Sequence, residues 1–187
     1  LHVEIGDPRS MPGGLDGSNK LWVPFTIVNQ DGEQAGRGTR YITRNSAGEL
    51  EVEHALFILS PQVRSGGFSS RWLRQMEDRY REAGIKRINI STDDVGGYAW
   101  AKGGFDFAND ADARHIATKV DMSVQFNPIS SPEMREQAAE LKRRARAGGD
   151  ERPTPLEFAM LGWTPGAETW PGKQAMLGSN WKGVKEL

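Results

Sequence analysis

An α/β (α+β) fold is what this sequence predicts, with an antiparallel N-terminal meander, a parallel βαβ unit and a helical, loop-rich C-terminal extension. Three observations carry it. Three runs rich in β-branched and aromatic residues, LWVPFTIVNQ (21–30), GRGTRYITR (36–44) and ELEVEHALFILS (49–60), are divided only by the polar turns QDGEQ and NSAGEL. One strongly amphipathic stretch separates the third run from another strand-like segment, IKRINIST (85–92). Beyond Asn109 the periodicity turns helical.

In chain order, HVEIG (2–6) reads as a short edge strand and RSMPGGLDGSN (9–19) as a loop. The three runs then form two hairpins. Alternation along the third run puts Val52, His54, Leu56 and Ile58 on one face and Glu51, Glu53, Ala55, Phe57 and Leu59 on the other. After SPQVRSGG, Phe68, Trp72, Met76 and Tyr80 recur every four residues, with Leu73 and Ala83 beside them and Gly84 after the last turn, so a core-facing helix is expected. The connection from 60 to 85 is long enough for a right-handed parallel crossover to IKRINIST. DDVGGYAWAKGGFDF (93–107) reads as a short helix ending near Gly103 and Gly104, then a strand at Phe105–Phe107. DADARHIATKVDM (110–122) is helical, and residues 131–148 form a helix with a serine cap, proline at its first position and apolar Met134, Ala138, Leu141 and Ala145. GGDERPTP is a linker, PLEFAML (155–161) a short helix, and the stretch from Gly162 onward has little periodicity.

Composition narrows the classes. A length of 187 residues fits one domain, or one domain with an appendage, and 37% hydrophobic with 26% charged residues is an ordinary globular balance without an apolar run long enough to span a membrane. Lys plus Arg (24) nearly equals Asp plus Glu (25), so no global field selects nucleic acid or an anionic membrane. The absence of cysteine excludes disulfides, thiolate metal sites and a cysteine nucleophile. His2, His54 and His115 are too scattered for a metal motif, so no metal is expected. LHVEIGDPRS lacks the regions of a signal peptide and starts with Leu, which reads as a processed piece of a larger protein, with the cytoplasm as the default compartment.

The stretch SPQVRSGGFSSRWL joins a strand to a helix through Arg64, Ser65, Gly66 and Gly67. A helix start exposes unpaired N–H groups at the positive end of its dipole, glycine lets an anion approach, and arginine adds a planar fork of donors. Residues 64–69 are therefore a candidate phosphate or pyrophosphate cradle, with a tight turn carrying a solvated arginine as the plain structural alternative. Neither GxxxxGK[ST] nor a Rossmann GxGxxG occurs.

LSPQVRSGGFSSRWL resembles the acyl-CoA-binding motif of the GNAT (GCN5-related N-acetyltransferase) superfamily, R/Q-x-x-G-x-G/A, with Arg64 and Gly67 matching and Ser69 in place of the last small residue. DDVGGYAWAKGGFDF is similar to the family's N-x-x-A-x-x-F-Y-x-K-x-G-F: Lys102, Gly104 and Phe105 match, Asp93 stands at the asparagine, Gly96 at the small position and Trp100 at the tyrosine. The resemblance covers roughly 20–107 and implies a GNAT-like twisted mixed sheet in which the strands at 50–59 and 86–92 splay to admit the acyl-pantetheine arm. It implies a core at 1–107, leaving 108–187 as a helical and Trp/Gly-rich extension, and a helical pair between the first two strands has no counterpart here. It also implies acetyl-CoA or another acyl-CoA as donor, held by Leu59, Val63, Arg64, Ser65, Gly66, Gly67, Phe68, Ser69 and Asp93. The acceptor would be an amine on a small molecule, a peptide or an aminoacyl-tRNA; no membrane partner is expected, and the oligomeric state is left open.

Transfer to an amine needs a base, a polarised carbonyl and a proton for the thiolate. Glu53 is the first choice as base, ahead of Glu51 and His54, with a solvated strand carboxylate as its plain alternative. His54 reads as a hydrogen-bonded structural histidine. A backbone N–H near Phe57–Leu59 would polarise the carbonyl if the strand bulges there. Tyr98 is the phenol nearest the position that Trp100 occupies, although two residues along a helix rotate it by about 200°. Lys142, Arg143, Arg144 and Arg146 form a basic run that a phosphate-rich substrate would use, unless it is only a solvated face. Asn89-Ile-Ser is a glycosylation sequon in a strand expected to be buried and is set aside. The tryptophans at 163, 170 and 181 are expected to fold onto the sheet as part of an acceptor wall or lid, or as the seal of a sheet edge. Two further readings stand beside the acyltransferase: a binding or structural module that keeps the fold without catalysis, and a toxin-like terminal effector domain of a larger secreted or phage-encoded protein.

Overall fold

The three strand-forming runs pair as a meander in the computed structural model of the chain, which describes residues 1–12, 19–64, 67–93, 96–128 and 130–187. The chain divides into two packing units, Leu1–Ile90 with Glu186–Leu187, and Ser91–Lys185. Residues 91–107, which the sequence grouped with the N-terminal core, pack with the second unit.

The first unit holds β1 (His2–Ile5), β2 (Arg9–Met11), β3 (Lys20–Val28), β4 (Gln34–Arg44), β5 (Leu50–Leu59), α1 (Phe68–Glu82) and β6 (Ile85–Ser91). Its strands lie in the order β1-β3-β4-β5-β6, with β2 also on β3, and form a mixed sheet. All pairs are antiparallel except β5 with β6, which is parallel, as the crossover through α1 requires. Asparagines close both hairpins: Asn29 Oδ1 accepts from the Asp31 and Glu33 amides, and Asn45 Oδ1 from those of Ala47 and Glu49. The segment read as a loop at 9–19 begins with β2, whose residues pair with Lys20–Trp22. Strands β1 and β2 share one edge of β3 and are interrupted opposite Pro24, whose carbonyl accepts from Gly6 N and which has no N–H to offer that edge.

Helix α1 forms where the four-residue stripe predicts it and lays the stripe on the sheet. Trp72 lies 4.9 Å from the Phe25 ring and stacks on Phe57 at 5.1 Å, with Ile27, Ala35 and Leu59 completing the buried cluster and Phe68 and Met76 at its margin. The face of the sheet away from α1 carries the polar and half-buried residues of each strand.

The second unit contains α2 (Gly96–Lys102), β7 (Asp106–Phe107), α3 (Asp110–Gln125), α4 (Pro132–Ala147), α5 (Pro155–Met160), α6 (Pro171–Met176) and β8 (Lys182–Glu186). Side chains cap its helices: Ser131 caps α4 as the sequence predicts, and Asn109 caps α3 and a Thr154–Glu157 capping box opens α5. Phe107 is central, with its ring 6.0 Å from Phe158 and 5.2 Å from Trp181. The aperiodic tail is therefore not loop alone, since it supplies α6 and β8 and pairs β8 antiparallel to β7. Trp170 and Trp181 are buried in this unit and Trp170 donates to the Ala159 carbonyl, whereas Trp163 is half-exposed. Trp170 and Trp181 help form the core of their own unit.

Candidate acyl-CoA site

The site is built along one path of chain in the first unit: β5, the turn after it, and the start of α1. Strands β5 and β6 pair from Leu50↔Ile85 to His54↔Ile90, with a register shift between Leu50 and Glu51, and no further, while β5 continues on β4 as far as Gly36↔Leu59. The second half of β5 thus leaves its parallel neighbour. The separation coincides with a β-bulge, because Thr39 faces Leu56 whereas Arg40 faces His54, which makes Ala55 the extra residue. The sequence reading needed a bulge near Phe57–Leu59 to polarise a carbonyl; the bulge lies earlier in the strand, at Ala55.

The bulge overturns the face assignment made from strict alternation. Val52 and His54 point toward α1, and beyond Ala55 the residues on that side are Phe57 and Leu59, while Leu56 and Ile58 turn outward and are exposed. One inserted residue reverses the parity of every residue after it. Glu51 and Glu53 consequently share the outer face with Leu56 and Ile58.

These two carboxylates differ in their partners. Glu51 accepts from Asn45 Nδ2 and Asn89 Nδ2, both at 2.9 Å, with Arg87 3.8 Å away, so it serves to tie the hairpin to β6. Glu53, half-buried between Tyr41 and Asn89 in the ladder, makes no hydrogen bond or ion pair among the described residues.

His54 is buried on the opposite face, with Nε2 3.1 Å from the Tyr80 hydroxyl. Burial, and then the nearby Arg40 charge, hold its pKa well below the usual imidazole value, so it is neutral and structural. Sequence reasoning missed Arg40. Its guanidinium is buried in an aromatic box, 4.8 Å from the Phe25 centroid, 5.0 Å from Trp72 and 5.9 Å from Phe57, and burial pulls its pKa down to about 10, so it stays charged at neutral pH. Nη1 donates at 3.0 Å to the carbonyls of Thr39 and Leu56, the pair at which the register shifts. Arg40 is thus the clamp on the bulge. The available signal was a lone arginine in an inward position of a strand otherwise rich in small and apolar residues.

After Leu59 the chain makes a 3-10 turn at Pro61–Val63, and Arg64 folds back so that its Nε donates to the Leu59 carbonyl at 2.9 Å. Ser65 and Gly66, both expected in the cradle, lie outside the described residues. Gly67 stands at the N-cap of α1 with φ 67°, a left-handed conformation that favours glycine. No side chain caps the helix start and no acidic residue occupies its first turn. The site of a Cβ on Gly67 lies 3.3 Å from Arg71 Nη1, which brings a second guanidinium to the helix start beside exposed Arg64. Phe68 and Ser69, the remaining cradle residues, form the first turn, and Val63 packs against the core cluster. Leu59, Val63, Arg64, Gly67, Phe68 and Ser69 are therefore gathered at one strand-to-helix junction, with Glu53 upstream on the same strand.

Asp93 and Tyr98 belong to the second unit. Asp93 accepts the Gly96 amide ahead of α2. The Tyr98 ring meets Trp170 edge-on at 5.9 Å, with Lys102 and Lys173 over its faces, and burial raises its phenol pKa. Trp100 packs edge-on against buried Phe105. The basic run on α4 is largely engaged: Lys142 pairs with Asp121, Arg143 with Glu140 and Glu151, and Arg144 with Glu157. Among the described residues no helix is long and apolar enough to cross a membrane, and no group of three metal-ligating side chains occurs.

No protein-family model and no curated protein matches the chain. Solved structures similar to it include an acetyltransferase from Bacillus cereus ATCC 14579, with TM-score 0.38 and 17% identity over 46% of this chain and 59% of that one. Another is a Bacillus subtilis acetyltransferase in complex with CoA, with TM-score 0.38 and 17% identity over 57% of this chain and 77% of that one. A third is N-acetylglutamate synthase from Neisseria gonorrhoeae complexed with coenzyme A and N-acetyl-glutamate, with TM-score 0.42 and 16% identity over 88% of this chain and 25% of that one. The chain thus spans well under two thirds of the first and third of these.

Proposed function

We propose that this chain is a GNAT-like, CoA-dependent N-acyltransferase that moves an acetyl or other acyl group from acyl-CoA to an amine. The observation that carries the reading is the departure of β5 from β6 at a bulge, directly before a glycine-opened, uncapped helix start flanked by Arg64 and Arg71. Unpaired N–H groups and two guanidiniums suit a pyrophosphate. The strand edge left open at 55–59 suits an extended, amide-bearing arm such as pantetheine, which can hydrogen-bond along it as a further strand would.

In the reaction the amine nitrogen attacks the thioester carbonyl, the C–S bond breaks, and CoA leaves as a thiolate that takes up a proton from solvent. The proton lost by the amine goes to Glu53, directly or through one water, since its carboxylate has no competing partner among the described residues. The bulge at Ala55 turns backbone groups of β5 out of the ladder, where an N–H can meet the developing oxyanion. No step is assigned to Tyr98 or Asp93, which lie in the second unit.

A thermal-shift titration with acetyl-CoA tests the reading. At a hundred times the dissociation constant, binding should add about 2.7 kcal/mol of stability. Gly67→Glu should abolish the shift through bulk and like charge, while Gly67→Asn, which tolerates the left-handed backbone, controls for folding. Glu53→Gln should keep the shift and lower transfer roughly a hundred-fold. A wild-type protein indifferent to millimolar acetyl-CoA would remove the acyltransferase reading and leave that of a non-catalytic module.

A further inference from the structure

The outer face of the first unit's sheet is laid out in cross-strand rows. Thr26, Arg37 and Ile58 form one, Pro24, Thr39 and Leu56 the next, and Trp22, Tyr41, Glu53 and Asn89 the third, beyond the bulge. The first two rows border a depression of about 290 Å³, lined among others by Gly6, Pro24, Thr26, Arg37, Thr39 and Leu56. Gly38, on the strand between the two rows, faces the core instead: a Cβ there would collide with the Phe25 ring and the Leu56 carbonyl.

The chemistry of its lining is one-sided. Arg37 is exposed and makes no hydrogen bond or ion pair among the described residues, and the hydroxyls of Thr26 and Thr39 are likewise uncommitted there. No carboxylate lines the depression. A single guanidinium fork with two neighbouring hydroxyls matches a planar monoanion better than a phosphate dianion, for which a second cation would be needed. Tyr41, which faces Glu53, lies four positions along β4 from Arg37, so the cation and the free carboxylate sit on rows roughly 14 Å apart at the backbone. Both side chains reach several ångströms over the face, and Leu56, next to the bulge, lies between them.

We infer that this depression is the acceptor subsite and that the acceptor is a small amine carrying a carboxylate, held by Arg37 with Thr26 and Thr39 while its nitrogen is turned toward Glu53. The inference rests on the acyltransferase reading for the role of the subsite, and on the lining residues alone for its charge. A carboxylate bound at one end fixes the amine at the other, and the free Arg37 and free Glu53 then serve the two ends of one molecule.

The experiment has two arms. With the full chain and acetyl-CoA, thiol release is measured for glycine, β-alanine and γ-aminobutyrate, each against the amine that lacks its carboxylate: methylamine, ethylamine and propylamine. At least one amino acid should exceed its partner about ten-fold or more in kcat/KM, and Arg37→Met should erase that ratio while acetyl-CoA affinity is kept. Equal use of both members of every pair, or a preference that survives in Arg37→Met, overturns the inference. The second arm needs no CoA: the Arg37 Nε–H resonance should shift saturably with the amino acids and not with the simple amines, and no shift overturns the anion site. A shift in a protein that does not bind acetyl-CoA leaves the anion site standing but removes its acceptor role together with the acyltransferase reading.

Discussion

His54 shows how burial converts a titratable residue into a pH-dependent element of stability. In the folded chain it stays neutral to well below the usual imidazole pKa, whereas in the unfolded chain it titrates near 6.5. Below about pH 6.5 the unfolded state therefore binds a proton that the folded state refuses, and stability falls as pH falls through that window; above it His54 adds no pH dependence. Urea unfolding from pH 7.5 to 5 should show this as a slope of up to about 1.4 kcal/mol per pH unit, which His54→Gln removes while keeping a hydrogen-bonding partner for Tyr80. Identical slopes in the two proteins would mean that carboxylates elsewhere set the acid limit. Arg40 lies beside it without a carboxylate partner among the described residues, and its charge is held by the faces of Phe25, Trp72 and Phe57 and by two carbonyls.

Strand β5 is one element with two halves of opposite parity, joined by Ala55. Its first half is tied on both sides, to β4 and β6, and presents Glu51 and Glu53 outward; its second half has β4 alone in the register and turns Phe57 and Leu59 inward onto Trp72 and Phe25. Deleting Ala55 restores simple alternation and drives Phe57 and Leu59 out of the cluster while forcing Leu56 and Ile58 in. Loss of the buried Leu59 and half-buried Phe57 from the cluster should cost about 3 kcal/mol or more. The deletion variant should show a lowered Tm and a changed fluorescence from Trp72, whose stacking on Phe57 is lost. A variant as stable as the wild type, with unchanged tryptophan emission, would show that the bulge is dispensable for packing.

At the scale of the whole molecule, the chain crosses from one packing unit to the other at Ile90 and returns at Glu186. Glu186 pairs with Arg87 at 2.7 Å and the Leu187 amide donates to the Lys86 carbonyl, so the last two residues are held on β6. Phe158, Met176 and Trp181, all deeply buried, come from the segment after Gly148. Truncation after Gly148 should therefore expose Phe107 and the inner faces of α3 and α4 and yield an aggregating product. A soluble, CoA-binding, inactive fragment would instead restore the acceptor-wall role first expected of the tail.

What the sequence determined by itself is what local chemistry dictates. The three strand runs and the hairpins between them, the four-residue stripe of α1, and the serine cap at Ser131 all depend on residues within a few positions of one another, and they formed as read. The strand-to-helix turn at Arg64 and Gly67 was legible for the same reason. Tertiary structure alone decided the rest. The bulge at Ala55 exists only in the register with β4, the difference between Glu51 and Glu53 depends on Asn89 of a distant strand, and the burial of Arg40 needs three rings drawn from two strands and a helix. The tail has no period because its short elements are shaped by what they pack against, as Trp170 and Trp181 are by Ala159 and Phe107. Side-chain parity, ion pairing and burial are set by partners far away in sequence, and no window of neighbouring residues contains them.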